Sequence, residues 1–364
     1  PQTHIVEHLS ELVADGELDA EFITVESEHS AMSACCGSSA AGARTFTSTS
    51  SQGMELMHEI LFIASALRLP IVMAAANRAL SGPLNIWNDH SDIMAARDCG
   101  WVMLFCMNGQ EALDATVMAF KIAEDRRVLL PVMVNIDGFT LTHVVEPIEF
   151  PTQEAVDAFL PPFKPAYTLH PDRPLTMGAY GMPDIYTECK YAQEMALLNA
   201  KPVVQEVMEE FGKKFGRSYK PVEVFGDADA DVVFVALGAY NENILTAVDA
   251  LKQKGKKASL VNIRLYRPFP AEEIIAALKG RQRVAVVERA MPGGATNSPL
   301  YNEMSALAFR SGLKPLMVNY VAGLGGRDVM PEQYEELFDE MMSVSSDQIQ
   351  IGSGMNVKVI GARG

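Results

Sequence analysis

"WVMLFCMNGQEALDATVMAFKIAEDRRVLLPVMVNID", residues 101–137, holds two apolar runs separated by a stretch whose apolar residues recur at helical spacing. WVMLFCM reads as a buried strand, GQEALDATVMAFKIAE as a helix and VLLPVMVNID as a second buried strand. Such alternation specifies a parallel sheet covered by helices on both faces. Working upstream, PIVMAAA is a further buried strand, Met54 to Leu67 a helix, and RTFTSTS alternates as a strand does. Residues 3–15 carry a helical stripe of Ile5, Val6, Leu9, Leu12 and Val13 that stops at Gly16, and EFITVE reads as a short strand.

Downstream the rhythm breaks into a Pro-rich tract from Phe139 to Asp184, and a structureless segment of that length is commonly functional or wraps a neighbour. A polar helix over 184–216 follows as a bridge. Then DVVFVALGA, ILTAVDALKQKG, KASLVNIRLY, AEEIIAALKG, RVAVVER, SPLYNEMSALAFRSG and PLMVNYVAG alternate strand and helix again. The expected organisation is α/β with two doubly wound units: 1–183 with its Pro-rich extension, a bridging helix and linker over 184–221, a second unit over 222–345, and a tail over 346–364.

The chain has 364 residues, 48% hydrophobic and 21% charged, enough for two cores. A formal charge of −16 argues against nucleic acid or an anionic membrane as partner, because both are bound by a basic field. An anionic ligand would need a local arginine. No apolar run approaches the ~20 residues that span a bilayer, and no charged-then-apolar leader precedes the first helix, so the reading is cytoplasmic. The chain begins at Pro1 without Met, which points to a natural N-terminus further upstream. Cys35, Cys36, Cys99, Cys106 and Cys189 show no CxxC spacing and read as free thiols, leaving no iron–sulfur ligand set in this chain.

Two stretches carry candidate chemistry. In TVESEHSAMSACCGSSAAGARTFTSTSSQG, residues 24–53, Ser27 is placed to cap a helix of small residues that begins with Glu28. Glu28 is then either a first-turn acid favoured by the helix dipole or a functional carboxylate, and the small side chains allow a flat ligand or another backbone to approach. NRALSGPLNIWNDHSD, residues 77–92, follows a strand at its carboxyl end, where open α/β sheets bind ligands. Arg78 there is either an ion-pair partner or a fork for a substrate carboxylate. His90 between Asp89 and Asp92 is too weak a cluster to assign a metal. MPGGATNSP (291–299) and GLGGRDV (323–329) read as tight turns, GDADAD (226–231) as a solvated turn, and DGFTLTH (137–143) as a strand exit with a structural His143.

Five stretches in order, GELDAEFITVESEHSAMSACCGSSAAGARTFTSTSSQG, LRLPIVMAAANRALSGPLNIWNDHSD, EDRRVLLPVMVNIDGFTLTH, LYRPFPAEEI and VAGLGGRDV, together resemble the alpha subunit of the multi-subunit pyruvate:ferredoxin oxidoreductases, within the 2-oxoacid:ferredoxin oxidoreductase family. The likeness implies a pyrimidine-binding domain of thiamine-diphosphate enzymes followed by a transketolase C-terminal-like domain. It implies thiamine-diphosphate-dependent, reversible decarboxylation of pyruvate with coenzyme A to acetyl-CoA and CO2, with ferredoxin reduced. The family's Gly-Asp-Gly motif, which holds the diphosphate and its Mg2+, is absent, for Gly226-Asp227 is followed by Ala228-Asp229. The resemblance therefore implies half a cofactor site here and the other half on a beta subunit, with coenzyme A-related and ferredoxin-like iron–sulfur domains on gamma and delta subunits.

By the same resemblance Glu28 falls on the catalytic glutamate that bonds a ring nitrogen of the aminopyrimidine, and Arg78 on the arginine that contacts pyruvate's carboxylate. Ser50, Ser51, Gln52 and Gly53 fall on the strand end beside the pyrimidine ring. No metal ligand is assigned. Of the family's Tyr-Pro-Ile-Thr-Pro turn only the last residue is present, as Pro1, so the pocket threonine is expected just upstream. The tract 146–183 is expected to wrap a partner subunit. Rival readings are another 2-oxoacid (oxoisovalerate, oxoglutarate, indolepyruvate or oxalate), a non-catalytic assembly subunit, and a transketolase-like or decarboxylase subunit without redox partners.

Overall fold

A computed structural model describes residues 1–345 and 357–363. The first part of the chain runs α1 (Thr3–Ala14), α2 (Glu28–Ala40), β1 (Thr45–Thr49), α3 (Gln52–Ala66), β2 (Ile71–Asn77), α4 (Ser91–Ala95), β3 (Val102–Phe105), α5 (Gly109–Glu124), β4 (Val132–Asp137), α6 (Gln153–Phe159) and α7 (Pro183–Phe215). The second part runs β5 (Val222–Gly226), β6 (Val232–Ala236), α8 (Tyr240–Gln253), β7 (Ala258–Ile263), β8 (Leu265–Arg267), α9 (Ala271–Leu278), β9 (Arg283–Glu288), α10 (Pro299–Ser311), β10 (Leu316–Val321), α11 (Pro331–Ser343) and β11 (Val357–Val359). The sheets have strand orders β1-β2-β4-β3-β8 and β11-β10-β9-β6-β7-β5. All pairings are parallel except β8 on β3 and β5 on β7, at one edge of each sheet.

Every residue of β2, β3, β6 and β7 is buried. That explains their unbroken apolar reading, since strands covered on both faces need no alternation. The long helix α7 has Pro at its start, Pro202 inside it and Gly216 in the left-handed conformation at its end. Its Val203, Val204, Val207 and Phe211 pack in one core with Met118 and Ile122 of α5, so the polar bridge is anchored along its second half.

Three expectations are corrected. EFITVE forms no strand: Phe22, Ile23 and Val25 are 38%, 59% and 40% exposed, and no strand among the described residues pairs with them. The Pro-rich tract is not wholly irregular, because Thr152 caps α6 through its side chain and Phe159 packs edge-on against Phe211 and Phe215. KASLVNIRLY is two strands in two sheets. Arg264 divides them, its buried guanidinium donating to Glu111 Oε1 at 2.7 Å and to Glu223 Oε2 at 2.5 Å, so that β8 is delivered to the edge of the first sheet. Within the tail Val357–Val359 pairs parallel with β10, while residues 346–356 and Gly364 lie outside the described residues.

The two sheets meet around Asp137, at the carboxyl end of β4. Its Oδ1 lies 2.7 Å from His90 Nε2, and its Oδ2 accepts from Arg289 Nη1 at 2.8 Å and from the Ala239 N–H at 2.9 Å. Arg289 follows β9, stacks 3.7 Å from the centre of the Tyr240 ring, and donates to the Gly323 carbonyl at 3.1 Å. Burial alone would raise the Asp137 carboxyl, but the charges of His90 and Arg289 overturn it and hold the group well below the usual carboxylate range. A Cβ on Gly238 (φ 76°) would sit 2.9 Å from Asp137 Oδ2, so only glycine admits this approach. Arg289→Ala strands a buried carboxylate and is expected to cost about 3–5 kcal/mol of stability. A smaller loss in the Asp137→Asn/Arg289→Met double variant than in Arg289→Ala, read by chemical denaturation, checks the assignment.

Candidate active site at the ends of β1 and β2

Helix α2 starts at Glu28 because Ser27 is extended (φ −155°, ψ 160°) and its side chain accepts from the Ser30 N–H at 3.3 Å. The same residue type and position were legible as a cap. The buried face of α2 carries Met32, Cys36, Ser39 and Ala40, the last three small, and α2 packs on α3 and β1. The Glu28 side chain is half-buried and makes no hydrogen bond or ion pair with the described residues. It rests against Gly53, where a Cβ would come 2.6 Å from Thr49 Oγ1 and 3.0 Å from both Cγ and Oε1 of Glu28. Gly53 therefore keeps open the hollow in which the carboxylate lies, and Thr49 Oγ1 beside it is buried without a partner.

Ser50 and Ser51 end β1. Ser50 Oγ donates to Gln2 Oε1 at 3.0 Å, which ties the start of the chain to this edge. Ser51 is fully buried and strained (φ 49°, ψ −121°), a conformation that side chains other than glycine's disfavour. Its hydroxyl lies 2.6 Å from the Ala79 carbonyl and 2.7 Å from Gln52 Oε1, so it faces inward and offers a ligand no free side-chain group.

Arg78 leaves the end of β2, half-buried. Its Nε donates to the Asn85 carbonyl at 3.1 Å, and its two terminal nitrogens have no partner among the described residues. The loop after it is closed by the Ala79 N–H bonding the Trp87 carbonyl at 3.0 Å. That loop is held in turn by the second sheet's turn, for Asn85 Nδ2 donates to the Gly325 carbonyl at 3.1 Å and Trp87 lies where a Cβ on Gly326 would be. GLGGRDV is thus a turn, as its sequence indicates, and its glycines also admit the loop that carries Arg78. Pro1 lies against Gly138, whose N–H bonds the Asn77 carbonyl next to Arg78.

His90 turns away from Asp89 and Asp92 to Asp137, and no group of three His, Cys, Asp or Glu side chains among the described residues could hold a metal ion. What the sequence reading missed is the role of Asp92, weighed there only beside His90 as a metal ligand: its carboxylate accepts the Ser51 and Arg78 N–H groups, each at 2.9 Å. Burial pushes its carboxyl up to about 7, against the pull of those N–H bonds. Its presence in the same loop as Arg78 was visible, but backbone partners leave no trace in side-chain identity. A cleft of about 660 Å3 between α7 and β5, lined by Met208, Tyr219 and Lys220 among others, has no lining residue in this strand-end site.

Glu28 thus opens α2 against Gly53, and Arg78 leaves the end of β2 with two terminal nitrogens unpaired among the described residues, both within an α/β unit built on a largely parallel sheet. Residues 1–209 match the family described as pyruvate flavodoxin/ferredoxin oxidoreductase, thiamine diphosphate-binding, and residues 230–334 match pyruvate:ferredoxin oxidoreductase core domain II. The chain belongs to the pyruvate flavodoxin/ferredoxin oxidoreductase family. It is 49% identical to pyruvate synthase subunit PorA of Methanothermobacter thermautotrophicus over 93% of this chain and 87% of that one. Against PorA of Thermotoga maritima the identity is 46%, over 97% and 91%. Ketoisovalerate oxidoreductase subunit VorA of Pyrococcus horikoshii is 41% identical over 94% and 87%.

Among solved structures, a 2-oxoglutarate:ferredoxin oxidoreductase from Magnetococcus marinus superposes with a TM-score of 0.67 at 20% identity, over 94% of this chain and 60% of that one. The chain thus spans less than two thirds of that larger protein. A split-gene transketolase superposes at 0.52 with 14% identity over 88% of this chain and 83% of that one. Both likenesses are of fold, and both agree with two sheets of largely parallel strands.

Gly53→Ala places a methyl group against Thr49 Oγ1 and Glu28, and is expected to cost about 1–3 kcal/mol by overpacking. An unchanged thermal midpoint would contradict the tight approach of Glu28 to the start of α3.

Proposed function

We propose that this chain is the alpha-type subunit of a pyruvate:ferredoxin oxidoreductase, forming acetyl-CoA and CO2 from pyruvate and coenzyme A in a cytoplasmic heteromeric complex. The observation that carries the reading is the Glu28 carboxylate, unpaired and half-buried at the start of α2, with Gly53 keeping the space beside it clear. Thiamine diphosphate, when bound, supplies the electron sink for loss of CO2 from a 2-oxoacid. The residues present suit its aminopyrimidine: Glu28 offers a carboxyl that can share a proton with a ring nitrogen, and the small side chains of α2 admit a flat ring. Ser50, Ser51, Gln52 and Gly53 supply the adjoining strand end, Ser51 through its backbone. Arg78 meets the oxoacid's carboxylate with its two terminal nitrogens, holding the substrate by paired, charge-assisted bonds.

This chain holds half of the cofactor site. The absence of a Gly-Asp-Gly motif supports a beta subunit that carries the diphosphate and Mg2+, with gamma and delta subunits carrying the iron–sulfur clusters that pass electrons to ferredoxin and the coenzyme A-related domain. The exposed Tyr167, Tyr180, Tyr186 and Tyr191, each more than half exposed, support a subunit contact along the Pro-rich tract and the first half of α7. The two units, 1–183 and 222–345, divide the work, the first holding the ring and the second bracing the Arg78 loop. No helix among the described residues is long and apolar enough to cross a membrane.

Glu28→Gln keeps the side chain's size and removes its titration. In the reconstituted complex it is expected to lower turnover by about 100-fold or more, within the usual range for a lost acid–base group, with subunit assembly intact. Unchanged turnover would leave an assembly role instead. The substrate is tested separately by kcat/KM for pyruvate, oxoisovalerate, oxoglutarate, indolepyruvate and oxalate. Pyruvate is expected to lead by about tenfold or more, the order of discrimination that one or two methylene groups allow, and a branched oxoacid in the lead would reverse the assignment.

A further inference from the structure

Two backbone N–H groups, one just past β1 and one just past β2, point at the same atom. Asp92 Oδ2 accepts from Ser51 and from Arg78, each at 2.9 Å, while Oδ1 accepts from its own neighbour Ile93 at 2.7 Å. Asp92 is completely buried, so no water replaces it as acceptor. We propose that Asp92 is a positioning residue that couples the cofactor side of the site to the substrate side, by fixing the Ser51 and Arg78 peptides with a single carboxylate.

On one arm, the bond to Ser51 holds a positive-φ, non-glycine residue in place. That turn sets the first residues of α3, including Gly53, against which the Glu28 carboxylate rests. On the other arm, the bond to Arg78 fixes the main chain from which the guanidinium projects, while the Asn85 carbonyl holds Nε. Neither arm has a second charged acceptor: the Ala79 carbonyl, which accepts from the Ser51 hydroxyl, and the Asn85 carbonyl, which accepts from Arg78 Nε, are both neutral. A displacement at Asp92 therefore moves Glu28's support and Arg78 together. The inference rests on the function proposed above and extends it from the residues that touch cofactor and substrate to the one that registers them with each other.

The test is made in the assembled complex. Asp92→Asn is nearly isosteric, but its amide either points a donor at the Ser51 and Arg78 donors or, flipped, at Ile93. The expected result is a rise of about tenfold or more in two constants together, the penalty of unpairing a buried donor. One is the thiamine diphosphate dissociation constant, measured by fluorescence quenching without oxoacid, and the other is the pyruvate KM. The ferredoxin KM is expected to stay as in the parent. A merely structural role would reduce the amount of active enzyme and leave both constants in place, which would overturn the proposal. A rise in only one of them would overturn the coupling. Should Asp92→Asn fail to assemble, hydrogen exchange in the parent complex decides: slow exchange at Ser51 and Arg78 supports the assignment, and exchange as fast as in the exposed segment 81–84 overturns it. A parent complex that binds no thiamine diphosphate overturns the function proposed above along with this inference, whereas a parent that binds it and an Asp92→Asn complex that binds it equally well remove the positioning role alone.

Discussion

The ion pair between Asp137 and Arg289, with His90 on the other carboxylate oxygen, is the contact on which the rest of the arrangement depends. Residues of both sheets reach it from the carboxyl ends of their strands: Asp137 from β4, Ala239 from beyond β6, Arg289 from beyond β9 and Gly323 from beyond β10. Two charges removed from water at this depth cost more than their attraction returns unless the remaining polar atoms are also bonded. Here they are largely bonded, through the Ala239 N–H, the Gly323 carbonyl and the Tyr240 ring, so the pair fixes geometry as well as offsetting its own desolvation. Because His90 closes the same loop that begins at Arg78, fixing the sheets relative to each other also fixes the far end of that loop.

From that clamp the site follows by short steps. Asn85 and Trp87, in the middle of the loop, are received by glycines of the turn after β10, where any Cβ would collide with them. The Asn85 carbonyl, so placed, holds Arg78 Nε. Asp92, two residues past His90, reaches back to Ser51 and Arg78. The small side chains of α2 belong to the same logic. A helix of larger residues would stand further from β1 and α3, and Glu28 would no longer lie beside Gly53.

Strands buried on both faces and helices with one apolar face announce themselves through local pattern, and β2, β3, β6 and α5 were legible for that reason. EFITVE looks like a strand by the same local rule, yet pairing is a property of two segments, and none of the described residues pairs with it as a strand. The division of KASLVNIRLY between two sheets turns on Arg264 finding Glu111, 153 residues away in sequence. No window of a dozen residues contains that fact. In the candidate site, Glu28, Arg78 and the stretch from Ser50 to Gly53 were marked by family likeness because they fall within the stretches that carry it. Asp92 and Asp137 act on main-chain groups or on partners far along the chain, as Asp137 and Arg289 are, 152 residues apart. Composition and spacing do not record such pairings.

The charge of −16 sharpens the role proposed for Arg78. At physiological ionic strength fields decay over about 8 Å, so an anionic oxoacid is neither attracted by the whole chain nor repelled by most of it once it is close. Under the proposed function, binding would be decided within the reach of one guanidinium. Since Nε is committed to Asn85, the fork can meet a carboxylate only through its two terminal nitrogens, and only along the direction that the Asn85 bond dictates. Recognition in so acidic a chain is therefore short-ranged and geometric. It depends less on how many positive charges the chain carries than on how rigidly one of them is aimed.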